Sequence, residues 1–184
     1  KQVMDRGFEN SVTASHCVTL GMQSLRKQAE VSADVAKANI AVLPLPQTNL
    51  FLQGRDISTA TPRALTAIKS LEAAGVLVAA GADNVQDPFN LVGRSDPLET
   101  ASLLILAAHE MPENAYKMVS VNARKAMGLE KADLSLGSLA DFVAIDAPSL
   151  RGAIADAPMS RKVFKGGVLI SSSLQTTQIS PDGL

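Results

Sequence analysis

The chain has 184 residues, 46% of them hydrophobic, a formal net charge of −1 and only 3% aromatics, so it holds enough apolar material for a sizeable core and reads as globular. It lacks the basic excess that neutralises phosphates and the rings that stack on bases, which excludes a nucleic-acid binder. No apolar run reaches the roughly 18 residues of a membrane helix, and the opening KQVMDRGFEN has no signal-peptide core; no membrane partner and a cytoplasmic location are expected.

A single cysteine, Cys17, excludes an intrachain disulfide and a thiolate zinc cluster. With two histidines in the chain, a bound metal must draw its other ligands from carboxylates or from outside it. Lys1 is not an initiator, and the expectation is a fragment whose beginning lies upstream.

Ser11 to His16 (SVTASH) is predicted as a short strand, because Val12 and Thr13 favour extended backbone. A helix is predicted from about Leu20 to Ala38, on Leu20, Leu25, Ala29, Ala33 and Ala36. NIAVLPLP reads as a second buried strand closed by Pro44 and Pro46, which sit at a strand's end rather than in a central ladder. QTNLFLQGRD follows as a loop. Thr61-Pro62 sets an N-cap and first-turn proline for a helix with Leu65, Ile68 and Leu71 on one face, ending at Gly75. VLVAAG is a third strand, and its unbroken apolar character suits a parallel strand covered on both faces. Strand and helix alternating in this way predict an α/β protein. Ser11–His16, Asn39–Leu45 and Val76–Gly81 are expected as parallel neighbours.

Ser95-Asp96-Pro97 with Glu99 opens a helix running to about His109, and ENAYKMVSVNARKAMG adds helix closed at Gly128. Beyond Glu130, SLADFVAID and RKVFKGGVLI are strand patterns joined by turns without intervening helices, the second hinged on Gly166-Gly167. They predict a separate small β layer from about Leu136 to Ser173. The closing QTTQISPDGL is polar, carries Pro181 and Gly183, and is expected to fray or lie on a neighbour.

His16 ends the first strand and Asp83 follows the third, so both fall on the carboxyl edge, where parallel sheets assemble their chemistry. A lone histidine at a strand end also has a plain structural reading. An aspartate leaving an apolar strand must be paired, metal-bound or used as a cap. Asn84 is open to two readings, a turn residue or a substrate contact, and Asp87 before Pro88 reads as a turn former. Cys17 reads as core filling rather than a nucleophile, since no oxyanion-hole signal accompanies it. His109 near a helix C-terminus suits the dipole and takes no role.

VTASHC, LPLPQTNLFLQGRD and GADNVQDPF, in that order and spacing, resemble the last three barrel strands and loops of the cytosine deaminase group of the amidohydrolase superfamily. LSLGSLADFVAID and SRKVFKGGVLI are similar to the segments with which such chains leave the barrel and re-enter a β-sandwich. The resemblance implies an α/β fold, the C-terminal part of a (β/α)8 TIM barrel over residues 1–132, a β-sandwich segment over 133–174 and a tail over 175–184. It implies a metal-dependent hydrolase acting on a ring C–N bond of a small cyclic amidine. Asp83 would bind one divalent ion, zinc or iron, and take a proton from the attacking water, while His16 stabilises the tetrahedral adduct. Gln53, read as a loop residue, could face substrate beside Asn84 or simply fix its loop; Arg55 is expected in a structural ion pair.

The remaining metal ligands are expected upstream of Lys1, so the fragment alone is expected to be inert and to work with the rest of its own protein in a homo-oligomer. Phe51 and Asn84 depart from the pattern of cytosine deaminases proper, and the Asp-Asn pair is similar to that of enzymes acting on s-triazine rings. The rival class is a non-catalytic barrel used for assembly or binding.

Overall fold

In the computed structural model, which describes residues 2–179, a one-turn helix α1 (Gln2–Asp5) precedes strand β1 (Val12–Ser15). The chain then forms α2 (Val18–Gly21), α3 (Leu25–Lys37) and strand β2 (Ile40–Leu43). β1 and β2 are parallel, in register from Val12 opposite Ile40 to Ser15 opposite Leu43. A single helix was expected between them, and two are found. Ser24 is extended and its hydroxyl accepts from the Lys27 N–H at 3.3 Å, which starts α3 afresh. Gly21 packs against backbone, since a Cβ there would lie 2.1 Å from the Leu65 carbonyl oxygen.

β2 stops at Pro44, and the expected loop is instead a helix, α4 (Pro46–Leu52). Pro46 opens it with a φ already suited to a first turn. Gln47, Thr48 and Asn49 are all buried, and Gln47 Nε2 donates to Thr100 Oγ1 at 2.8 Å. Gln47 Nε2, Thr48 Oγ1 and Asn49 Oδ1 each bond to a partner distant in sequence, which is why the run reads as loop in the sequence. The next helix, α5 (Ile68–Ala73), is shorter than expected. Ala64 takes a left-handed φ of 57°, and the Thr61 hydroxyl donates to the Ile57 carbonyl at 2.7 Å rather than capping.

The segment from Val76 lies along the other side of β2. Val42 N donates to Leu77 O at 2.9 Å, Ala79 N donates to Val42 O at 3.0 Å, and Val42 bridges Val78 in parallel. Its far edge is taken by α-helical residues: α6 (Pro97–Ala108), α7 (Pro112–Val119) and α8 (Val121–Ala126) follow. Ala80 N donates to Met118 O at 2.9 Å and Asn122 Nδ2 donates to Val78 O at 2.8 Å. The described residues therefore form three adjacent parallel segments and do not close into a barrel. α6 starts as expected, with Asp96 Oδ1 accepting from Leu98 N at 3.0 Å and Pro97 in the first turn. The single helix expected after it breaks at Ser120, where φ is −126° and ψ −95°. Val42, Leu71, Val78, Ala79, Leu104 and Met118 form the core of this part.

The chain separates into two compact units, one ending at Glu130 and one beginning at Lys131. The second contains β3 (Phe142–Ile145), α9 (Leu150–Asp156), β4 (Arg161–Lys165) and β5 (Val168–Ser173), with the strands antiparallel in the order β3-β4-β5. Gly166 and Gly167, at φ 55° and 79°, make the hairpin turn with the mirror-image geometry that side chains disfavour. Phe142 and Phe164 stack at 4.6 Å between centroids. The expectation of strands joined by turns alone is corrected by α9, which Ser149 caps through Gly152 N at 3.0 Å and which buries Ala153 and Ile154. Gln175 N donates to Ser160 Oγ at 3.0 Å, so the tail is held where it begins. Its last five residues, with Pro181 and Gly183, lie outside the described residues. Among those described, no helix is long and apolar enough to cross a membrane.

Candidate functional site

Because β1, β2 and the segment from Val76 are parallel, the residues that follow each of them emerge on one edge. These are His16 and Cys17, helix α4, and Asp83. His16 Nε2 stands 3.7 Å from Asp83 Oδ2, with the side chains 44% and 32% exposed. Both residues have left-handed backbones, φ 62° and 67°, a strain of about 1–3 kcal/mol each that surrounding structure must hold.

α4 supplies that hold through two adjacent buried side chains. Thr48 Oγ1 accepts from Asn84 N at 3.0 Å and donates to Ala82 O at 3.4 Å, so it grips the backbone on both sides of Asp83. Asn49, 1% exposed, meets His16 Nδ1 with its Oδ1 at 2.8 Å. With Oδ1 as partner, a proton on Nδ1 would complete this bond and leave the Nε2 lone pair of a neutral His16 facing the carboxylate. Two acceptors at 3.7 Å do not bond directly; a proton on the imidazole, or a donor or cation between them, makes the pair attractive. Asn49 Nδ2 is buried without a partner among the described residues, a cost of about 1–3 kcal/mol.

The other expected site residues are placed differently. Asn84 donates its Nδ2 to Asp87 Oδ2 at 2.5 Å, which leaves Oδ1 as its remaining acceptor. Asp87 is the turn former expected: Phe89 N and Asn90 N donate to its Oδ1 at 2.8 and 3.0 Å. The Asn84 amide first, and these backbone donors after it, hold the Asp87 carboxyl below its ordinary range. Gln53 ends α4 with its backbone N–H on Asn49 O at 2.9 Å; its side chain is exposed and makes no polar contact with His16 or Asp83. Among the described residues Arg55 does not make the expected ion pair. Its Nε donates to Phe51 O at 2.8 Å and its guanidinium covers the Phe51 ring at 4.1 Å, a local arrangement over one turn that needs no acid. His109 ends α6 and bonds Arg63. The Cys17 thiol lies 3.5 Å from Ser15 O, and burial pushes its pKa up.

A cavity of about 270 Å3 borders Asp83, lined also by Gly81, Val85, Asp96 and Thr100, and offers room for a small ring. An imidazole nitrogen and a carboxylate oxygen suit a divalent ion such as zinc or iron. No group of three or more His, Cys, Asp or Glu that could hold a metal occurs among the described residues. Sequence reasoning missed Thr48 and Asn49, hidden in a presumed loop. The usable signal was Pro46 directly after a strand, marking a helix start at the same edge.

A model described as the amidohydrolase family matches residues 1–170. A pterin deaminase of Rhizobium rhizogenes is 32% identical over 177 residues, spanning 94% of this chain and 40% of that protein. Among solved structures, 5-methylcytosine deaminase from Klebsiella pneumoniae, liganded with 5-fluorocytosine, is similar with a TM-score of 0.84 at 22% identity, covering 98% of this chain and 45% of that one. N-isopropylammelide isopropylaminohydrolase from Burkholderia multivorans has a TM-score of 0.78 at 27% identity, covering 94% and 42%. The chain thus spans less than half the length of each of these three relatives.

Proposed function

The chain belongs to the amidohydrolase family, and from that premise we propose that it is the C-terminal part of a barrel hydrolase that removes an amino group from a small cyclic amidine. The observation that carries this reading is the approach of His16 Nε2 to Asp83 Oδ2, 3.7 Å apart at the carboxyl edge of parallel strands. The 32% identity to a pterin deaminase supports a pterin-like ring as the first substrate class. A triazine ring is the second, supported by the likeness to the isopropylaminohydrolase and by Asn84 directly after Asp83.

In this reading a divalent ion, zinc or iron, held by Asp83 and by ligands from outside these residues, supplies the Lewis acidity that makes water a nucleophile near neutral pH. Asp83 takes a proton as the water oxygen bonds to the amidine carbon. Neutral His16, its Nδ1–H held by Asn49, accepts at Nε2 the second proton of the water from the adduct hydroxyl and passes it to the ring nitrogen. Asp83 then returns the proton to the leaving nitrogen, so amidine and water give carbonyl and ammonia. Asn84 orients the ring through Oδ1, and Gln53 contributes only if α4's end turns toward the substrate.

The test is kcat and KM of the complete enzyme on pterin, cytosine, creatinine and s-triazine amidines, with bound metal quantified. Asp83→Ala is expected to cost orders of magnitude in kcat. Asn84→Ala, which removes a neutral hydrogen bond to the ring worth about 0.5–1.5 kcal/mol together with the Nδ2 bond to Asp87, changes substrate preference or KM by at least roughly three- to tenfold. Full activity in the Asp83 variant defeats the mechanism.

A further inference from the structure

We infer that Asn49 is a positioning residue whose side-chain carbonyl selects the Nδ1–H tautomer of His16 and so aims the Nε2 lone pair at Asp83. The inference rests on the reading of His16 and Asp83 as the reacting groups and goes beyond it by naming what sets their relation. Asn49 lies on α4, 1% exposed, with Oδ1 2.8 Å from His16 Nδ1. A residue serving packing alone would be apolar or bonded at both ends of its amide, yet Nδ2 has no partner among the described residues. Only the end facing the histidine is used.

The neighbouring side chain ties the same turn of helix to the other reacting group. Thr48 holds Ala82 O at 3.4 Å and Asn84 N at 3.0 Å, so a shift of α4 relative to the Asp83 loop breaks bonds on both flanks of that aspartate. His16 and Asp83 are therefore placed from one rigid element. Turning the Asn49 amide over would present Nδ2 to Nδ1 and move the ring proton to Nε2. At 3.7 Å from Asp83 Oδ2, that Nε2–H is too far for a hydrogen bond, and Oδ1 would be the stranded atom instead. The flip replaces the Nε2 lone pair by a proton facing the carboxylate, so the two orientations of the amide give His16 opposite characters toward Asp83. Partners of this kind behind a functional imidazole fix its tautomer and orientation.

Long-range 15N–1H spectra of the chain labelled at histidine read the tautomer directly, at a pH where the imidazole is neutral. Only two histidines are present, and His109→Gln assigns the second. The expected result is the Nδ1–H pattern at His16, kept in Asn49→Asp, which retains an acceptor, and shifted mainly to Nε2–H in Asn49→Leu, which has similar volume and none. In the complete enzyme Asn49→Leu is expected to lower kcat by about 10–100-fold with KM changed less than about twofold, and Asn49→Asp to recover most of the loss. An Nε2–H pattern in the unsubstituted chain overturns the inference by itself, whatever the variants' stability, as does an unchanged tautomer in folded Asn49→Leu. If the enzyme deaminates none of the ring panel while the tautomer behaves as expected, the functional reading fails and the positioning stands.

Discussion

His16 and Cys17 are neighbours with adjoining left-handed φ values of 62° and 51°, yet their surroundings assign them opposite chemical characters. The imidazole is held at one nitrogen and faces a carboxylate with the other. The thiol, 3.5 Å from the Ser15 carbonyl oxygen, is pushed toward its protonated form by burial. Since the thiolate is the reactive species, Cys17 is expected to react with iodoacetamide more slowly than free cysteine from pH 7 to 9. A rate at or above that of free cysteine would restore the nucleophile that the sequence reading set aside. At this scale the residue types and their strand-end positions were legible, and the expected convergence of the His16 and Asp83 side chains is present. Arg55 was misread because its partner is the ring and carbonyl of Phe51 rather than an acid.

Elements bounded by local chemistry were read well and elements bounded by tertiary packing were not. Asp96-Pro97 opening α6 and Gly166-Gly167 turning the β4–β5 hairpin are short-range devices. The end of α2, by contrast, sets Gly21 against a distant backbone, with Leu65 O 2.1 Å from where a Cβ would stand. Gly21→Ala must move one strand of chain away from the other and is expected to cost about 1–3 kcal/mol of stability, measured by urea unfolding; an unchanged midpoint would show that the two segments part freely. α4 gives a second check. Thr48→Val keeps the shape but strands Asn84 N and Ala82 O, for an expected loss of about 1–3 kcal/mol, while Thr48→Ser restores most of it. Equal stability of the two variants would deny the hydroxyl its role.

Each compact unit has its own buried side chains, Leu71 and Leu104 in the first and Ala153 and Ile154 in the second. Leu71, fully buried, leaves a cavity when truncated, and Leu71→Ala is expected to cost about 2–5 kcal/mol. Amide exchange should then accelerate in β2 and α6 well beyond any change in β4 and β5; uniform acceleration would mean that the units unfold as one. The amino-acid sequence by itself determined the α/β alternation, the strand ends that carry His16 and Asp83, and the order of motifs that resembles the amidohydrolases, because strand propensity, proline placement and apolar runs act over a few residues. Only the tertiary structure decided that His16 meets Asn49, 33 residues away, and that the Asp83 loop is gripped by Thr48, 36 residues from Asn84. A hydrogen bond between such distant groups is set by how parallel strands align the loops at their ends, and no local preference of Thr48 or Asn49 encodes it.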